Sequence, residues 1–322
     1  MVEPMVDNSE LVDVIVRIHD PSRLDELGHA VLSLLGQSHR PLRVLVVAQR
    51  FDAPDLAALE VRLDRYRRID PSVALEVIDY ACQDGLADAR SALINAGIAV
   101  ARGRYLAVLD YDDTLYPAAY TTLVQELRAS GRAVAFGGIA RKSVAIDPTT
   151  RAALSFGLRP RHPGQTLVDM FRLGFCPMHS MVLDRSRIAP RDLRVDELLP
   201  ICEDYEWQLR LGARYAFSFA RIDDEIGEYR YKSDGSNTVM LTFNADKTRH
   251  AMWNGYADLI EERRQTLVID PEVQLALGLA EPIAGLTIRG LLDRIDQGGL
   301  IQSPPDYLAP PMAPHGPDGF AY

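Results

Sequence analysis

Just past the apolar run Tyr105-Leu106-Ala107-Val108-Leu109 stand Asp110, Asp112 and Asp113. Clustered carboxylate oxygens suit a hard divalent cation, Mg²⁺ or Mn²⁺, which would neutralise a charged leaving group such as a diphosphate. The same residues have a structural use. Aspartates beyond a strand make turns and N-caps, and Asp113 or Thr114 would cap a helix beginning near Tyr116. A second acidic pair, Glu203-Asp204, opens a segment with helical spacing to about Leu211, where acids complement the macrodipole. Arg230 lies at the end of the strand-like IGEYRY, and its planar fork suits phosphate oxygens or a surface carboxylate.

These residues need a scaffold that brings them to one place. VDVIVRI (12 to 18), RVLVV (43 to 47), ALEVI (74 to 78) and YLAVL (105 to 109) read as strands. Between them lie helical patterns: Leu24, Leu27, Val31, Leu34 and Leu35 on one face, an amphipathic segment from Asp55 to Arg68, and a helix from about Leu86 to Arg102 stopped by Gly103. Strands alternating with helices predict βαβ units, a mainly parallel α/β sheet covered by helices on both faces, and ligands beyond the strands' carboxyl ends. Asp110 to Asp113 fall there. Further strands are predicted at 133 to 140, 180 to 183, FSFARI and IGEYRY, and a helix from about Phe243 to Arg264.

Composition narrows the function classes. The chain has 322 residues, a formal charge of -10 and a pI near 5.2, which argues against nucleic acid as a partner. Cys82, Cys176 and Cys202 have no C-x-x-C spacing, so neither a zinc site nor a disulfide framework is expected, and a cytoplasmic setting fits. No apolar run reaches the roughly 18 residues of a spanning helix, while peripheral contact at the inner face of a membrane stays open.

Five segments in order, VDVIVRIHD, LLGQSHRPLRVLVV, ALINAGIAVARGRYLAVLDYDD, ICEDYEWQLRLG and IGEYRYKSDGSNT, resemble family 2 glycosyltransferases of GT-A fold. The resemblance covers about residues 11 to 240. It implies a GT-A domain over 1 to 240, with a nucleotide-sugar half at about 11 to 115 and an acceptor half at about 116 to 240. A C-terminal helical extension would follow over 241 to 302, then a Pro-rich, disordered tail over 303 to 322. The implied reaction moves a sugar from a nucleotide-diphosphate donor to an acceptor hydroxyl, with inversion and with Mg²⁺ or Mn²⁺. The acceptor, whether glycan, lipid-linked or small molecule, is undefined, as is the oligomeric state.

By the same resemblance Asp110 contacts ribose or metal, Asp112 holds the metal, and Asp204, beside Glu203, is the general base. Arg90 lies where the family often has a cation near the donor. The chain departs from the pattern after its second strand, where Ala48-Gln49 replaces the usual aspartates; Gln49, offering either a donor or an acceptor, would then meet the base. Its first loop, Arg17-Ile18-His19-Asp20, is also atypical. Two alternatives accompany this reading: a catalytically silent nucleotide-sugar-binding or scaffolding subunit, and a haloacid-dehalogenase-type phosphatase using Asp223-Asp224 with Lys142 or Lys232.

Overall fold

In a computed structural model of the chain, described over residues 8–81, 89–147, 149–150, 152–159, 164–199, 201–233 and 247–298, four β-branched, apolar segments form a parallel sheet. These are β1 (Val12–Ile18), β2 (Leu42–Gln49), β3 (Ala74–Tyr80) and β4 (Tyr105–Asp110), in the order β3-β2-β1-β4. Alternation along β1 sorts its side chains. Val12, Val14, Val16 and Ile18 pack with Leu27, Val31 and Leu34 of helix α1 (Leu24–Leu35) and with Leu59 and Leu63 of α2 (Ala53–Ile69). Ile15 packs on the other face, in one core with Leu93 and Ile94 of α3 (Arg90–Val100). At Gly97 a Cβ would lie 2.6 Å from Ile15 Cγ1, so the glycine lets α3 approach β1 closely.

The second half mixes directions. It contains β5 (Thr114–Leu115), α4 (Ala119–Ser130), β6 (Val134–Ile146), β7 (Ala153–Arg159), α5 (Leu167–Arg172), β8 (Met181–Asp184), α6 (Glu203–Arg214) and β9 (Phe217–Lys232). The sheet continues β4-β8-β6-β9-β5, with β7 on β6; β8 runs antiparallel to β4 and β6, whereas β6 and β9 are parallel. The two strands expected at FSFARI and IGEYRY are one, β9, and register shifts along β6 accommodate its bend. β7 and α5 were not anticipated.

Helices α7 (Lys247–Thr266), α8 (Pro271–Ala276) and α9 (Ile288–Asp296) follow. Ile260, Val273, Leu291 and Leu292 from them share one core with Trp207 and Leu209 of α6. Arg264 of α7 reaches the Phe171 carbonyl at 2.8 Å and the Tyr205 hydroxyl at 3.0 Å, so this extension braces the helix that begins with Glu203-Asp204. Among the described residues no helix is long and apolar enough to cross a membrane. The predicted tail at 303 to 322 lies outside the described residues.

Candidate active site

The carboxyl ends of β1 and β4 meet in register, with Arg17 opposite Asp110. Arg17 Nε lies 2.5 Å from Asp110 Oδ1 and Nη2 lies 3.1 Å from Oδ2, a bidentate pair. The third nitrogen, Nη1, is 2.5 Å from Glu203 Oε1, so one guanidinium joins the strand bearing the aspartates to the start of α6. Burial pushes the Asp110 carboxyl up, but the Arg17 guanidinium outweighs it and holds the group below its ordinary value. Arg90, first residue of α3, adds a second cation 3.8 Å from Glu203 Oε2.

Asp112 is bound elsewhere. Its Oδ2 lies 2.7 Å from Lys232 Nζ, which also lies 2.8 Å from Glu26 Oε2 of α1. Burial would push the Lys232 ammonium down, but Asp112 and Glu26 hold it above its ordinary value. Asp113 is buried against His179, Oδ2 to Nδ1 at 3.2 Å, and its Oδ1 accepts the Arg230 backbone N–H. Burial, aided by Asp112 and Asp110, raises the Asp113 carboxyl well above its usual range, while burial lowers His179 to about 4. Arg230 donates through Nη2 to Thr114 Oγ1 at 3.3 Å and lies 3.5 Å from Glu228 Oε2, beside the aspartate cluster.

At the head of α6, Glu203 is buried, with its carboxylate committed to Arg17 and Arg90. Asp204 is more open, and its Oδ1 accepts the Tyr205 N–H at 2.8 Å. The preceding Cys202 has φ 57°, a left-handed conformation that costs a non-glycine residue roughly 1 to 2 kcal/mol. The surroundings enforce it, and it sets the direction in which the acidic pair leaves the loop.

The Gln49 side chain is fully buried and its Oε1 accepts the Ala89 N–H at 2.9 Å, so this oxygen anchors the entry to α3. Asp52 is likewise spent in a capping box with Asp55 at the start of α2. Trp207 is core, with its Nε1 on the Asp192 carbonyl.

The expected metal ligands do not fit a metal as they stand. Arg17 takes both oxygens of Asp110 and Lys232 takes one oxygen of Asp112, and among the described residues no three His, Cys, Asp or Glu side chains gather where an ion would sit. Of the phosphatase set, Lys232 does lie against Asp112, but Asp224 lies along β9 beside Arg221 and Lys142 is paired with Glu228. Arg17 and Lys232 are the site residues that sequence reasoning missed. The isolated cation in VDVIVRI was the available signal for Arg17; Lys232 was weighed only for the phosphatase.

A partly parallel sheet with carboxylates and cations gathered beyond β1 and β4 is the GT-A architecture. The crystal structure of S. aureus TarS 1–349 has this fold: it aligns with a TM-score of 0.50 over 89% of this chain and 91% of that one, at 13% identity. Its complex with UDP-GlcNAc aligns at 0.49, with 13% identity, over 84% and 80%. Residues 14–188, just over half of the chain, match the sequence profile of glycosyl transferase family 2. The chain belongs to that family. The succinoglycan biosynthesis protein ExoO of Rhizobium meliloti (strain 1021) is 29% identical over 209 residues, which is 63% of this chain and 56% of ExoO. The chain thus spans little more than half the length of that relative.

Proposed function

We propose that the chain is a glycosyltransferase that moves a sugar from a nucleotide-diphosphate donor to an acceptor hydroxyl with inversion. Family membership and fold support this reading. The observation that carries it is the Arg17 bridge, which ties Asp110 at the end of β4 to Glu203 at the head of α6. Asp204 follows Glu203 in the chain, at the head of the helix that this bridge reaches.

The roles divide by environment. Asp204 removes the proton from the acceptor hydroxyl as its oxygen attacks the anomeric carbon. A single displacement needs one base, and inversion follows because the diphosphate leaves from the opposite side. Glu203, held between Arg17 and Arg90, positions Asp204 and takes no proton. Asp110 meets the nucleotide, and Arg90 and Arg230 supply positive charge near its phosphates. A divalent cation, Mg²⁺ or Mn²⁺, was expected on Asp110 and Asp112; with Arg17 on Asp110 and Lys232 on Asp112, no step is assigned to it. The sugar and acceptor are set by contacts beyond these residues.

Calorimetry with uridine, guanosine, thymidine, cytidine and adenosine diphosphates and their common sugar conjugates tests the proposal. At least one conjugate should bind, and slow release of its nucleotide should give a sugar of inverted anomeric configuration by NMR. Binding without any release supports a silent binding subunit. The absence of binding across the panel removes the reading.

A further inference from the structure

Lys232 ends β9 with its side chain only 4% exposed, between Asp112 and Glu26, and its ammonium also lies over the Tyr111 ring at 5.9 Å from the centroid. Asp112 and Glu26 come from different parts of the sheet's carboxyl edge, |i−j| of 120 and 206 from the lysine, so the fold itself builds this position. The carboxylate oxygen bonded to the ammonium belongs to the residue expected to hold a divalent cation. Arg17 occupies both oxygens of the other expected ligand. A metal entering on Asp112 Oδ2 would have to displace Lys232, and one entering on Oδ1 would sit on the same carboxylate as its ammonium, so the two cations would repel in either case.

We propose that Lys232 takes the place of the divalent cation: its fixed ammonium, with Arg17 behind it, is the counter-charge for the donor's diphosphate, and the nucleotide binds without metal. This rests on the glycosyltransferase reading above. A lysine ammonium is a compact point charge with three donors, and it serves phosphate in that form in other nucleotide sites. It differs from a metal in being permanently present, and chelation cannot remove it. The arrangement also gives Glu26 a purpose, since a second carboxylate helps hold the ammonium at the sheet edge.

The experiment uses the full chain and two probes, uridine diphosphate and guanosine diphosphate, titrated by calorimetry in excess EDTA and again in Mn²⁺. For whichever nucleotide binds, the parent's affinity should agree within about threefold in the two buffers. Lys232→Met keeps the unbranched stem of the side chain and removes the charged ammonium. Its affinity in EDTA should fall roughly 10- to 100-fold, the scale of a lost hydrogen bond to a charged group. Mn²⁺ should recover much of that loss, because Asp112 and Glu26 are then open to an ion. Lys232→Arg, which keeps the charge, should stay closer to the parent in EDTA than Lys232→Met. Electron paramagnetic resonance on the nucleotide-free proteins gives a separate readout: Mn²⁺ should remain free with the parent and bind the Met variant. A parent that needs Mn²⁺ for tight binding overturns the inference and leaves the glycosyltransferase reading standing, as does metal-free affinity unchanged in a folded Lys232→Met. Absence of binding to either probe by the parent in both buffers overturns the inference, and the five-nucleotide panel above then decides the glycosyltransferase reading separately. Thermal unfolding checks the variant, and if it does not fold, the parent's two titrations decide alone.

Discussion

The two ends of β1 carry the same chemistry on the same face of the sheet. Asp13 faces Arg43 of β2 near the amino end, and Arg17 faces Asp110 of β4 at the carboxyl end, four residues or roughly 13 Å along the strand. Each is a cross-strand arginine–aspartate pair at short distance, 2.7 Å in one and 2.5 Å in the other. Their surroundings differ. Asp13 is fully buried, and its second oxygen accepts the backbone N–H groups of Arg102 and Gly103, while Arg43 also donates to the Val100 carbonyl and to Glu76. This end is closed, and it fixes where α3 stops and β4 begins. Asp110 keeps 28% of its side chain exposed, and its arginine is shared with Glu203 at the start of α6. An ion pair at the closed end acts as structure; an ion pair at the open end is available to a ligand. In parallel sheets the open end is the carboxyl edge, where the connecting loops diverge.

The sharpest break of this comparison is Asp13→Ala. Removing one partner of a buried pair leaves Arg43 Nε and two backbone donors without an acceptor, a cost of about 3 to 5 kcal/mol in folding stability. Denaturant titration should show it, whereas nucleotide affinity of the remaining folded protein should change little. A stability loss under about 1 kcal/mol would mean that the closed end is not what fastens α3 to β4.

Asp204→Asn tests the open end in the opposite sense. The amide keeps the shape and loses the basic lone pair, so transfer should fall roughly 10²-fold or more, about 2.7 kcal/mol in the barrier, with stability and donor affinity near the parent's. Turnover within a few fold of the parent would make Asp204 a helix-start acid and nothing more.

The contrast between the ends also explains what the sequence disclosed. The apolar, β-branched runs of β1, β2 and β4 announce themselves because strands buried on both faces need them, and the helices between follow from spacing. Asp110, Asp112 and Asp204 were legible as candidates because they stand where strands end or helices begin. Their partners were not. Arg17 meets Glu203 across 186 positions, and Lys232 meets Asp112 across 120, through a sheet whose second half mixes parallel and antiparallel neighbours. No local period encodes that order. Gln49 shows the converse: the end of a strand looked like an open position, yet the entry to α3 folds over it and takes its oxygen.

Gln49→Ala should therefore have a smaller effect, and of a different kind from that of a base-reading residue. Losing the acceptor for the buried Ala89 N–H loosens the segment that leads to Arg90, so nucleotide affinity should drop by about tenfold or less. The drop should be similar for uridine and guanosine diphosphates, because the disturbance reaches the phosphates and not the base. Titration of both against parent and variant decides. A loss confined to one nucleotide would place Gln49 at the base after all and would weaken the division between closed and open positions.

Acid provides the smallest effect and the finest test of the open pair. Burial raises the Asp110 carboxyl and Arg17 lowers it further, leaving it below 3.8 in the folded chain. A carboxyl depressed in the folded state stabilises the fold fully above its unfolded value and loses that contribution as pH falls through the folded one. Asp110→Asn lacks the contribution at every pH, while its amide oxygen still accepts one bond from Arg17. The stability gap between parent and variant should thus be widest above about pH 5 and close progressively below the unfolded value near 3.8. Other depressed carboxylates, such as Asp184 beside Arg104 and Asp192 beside Arg214, titrate alike in both proteins and cancel in the difference. Urea unfolding of the two proteins at a series of pH values measures it. A gap that stays constant from about pH 6 to about pH 3 would mean that Arg17 does not hold Asp110 ionised. The open end would then bind its arginine mainly through Glu203, and the likeness between the two ends of β1 would be one of geometry alone.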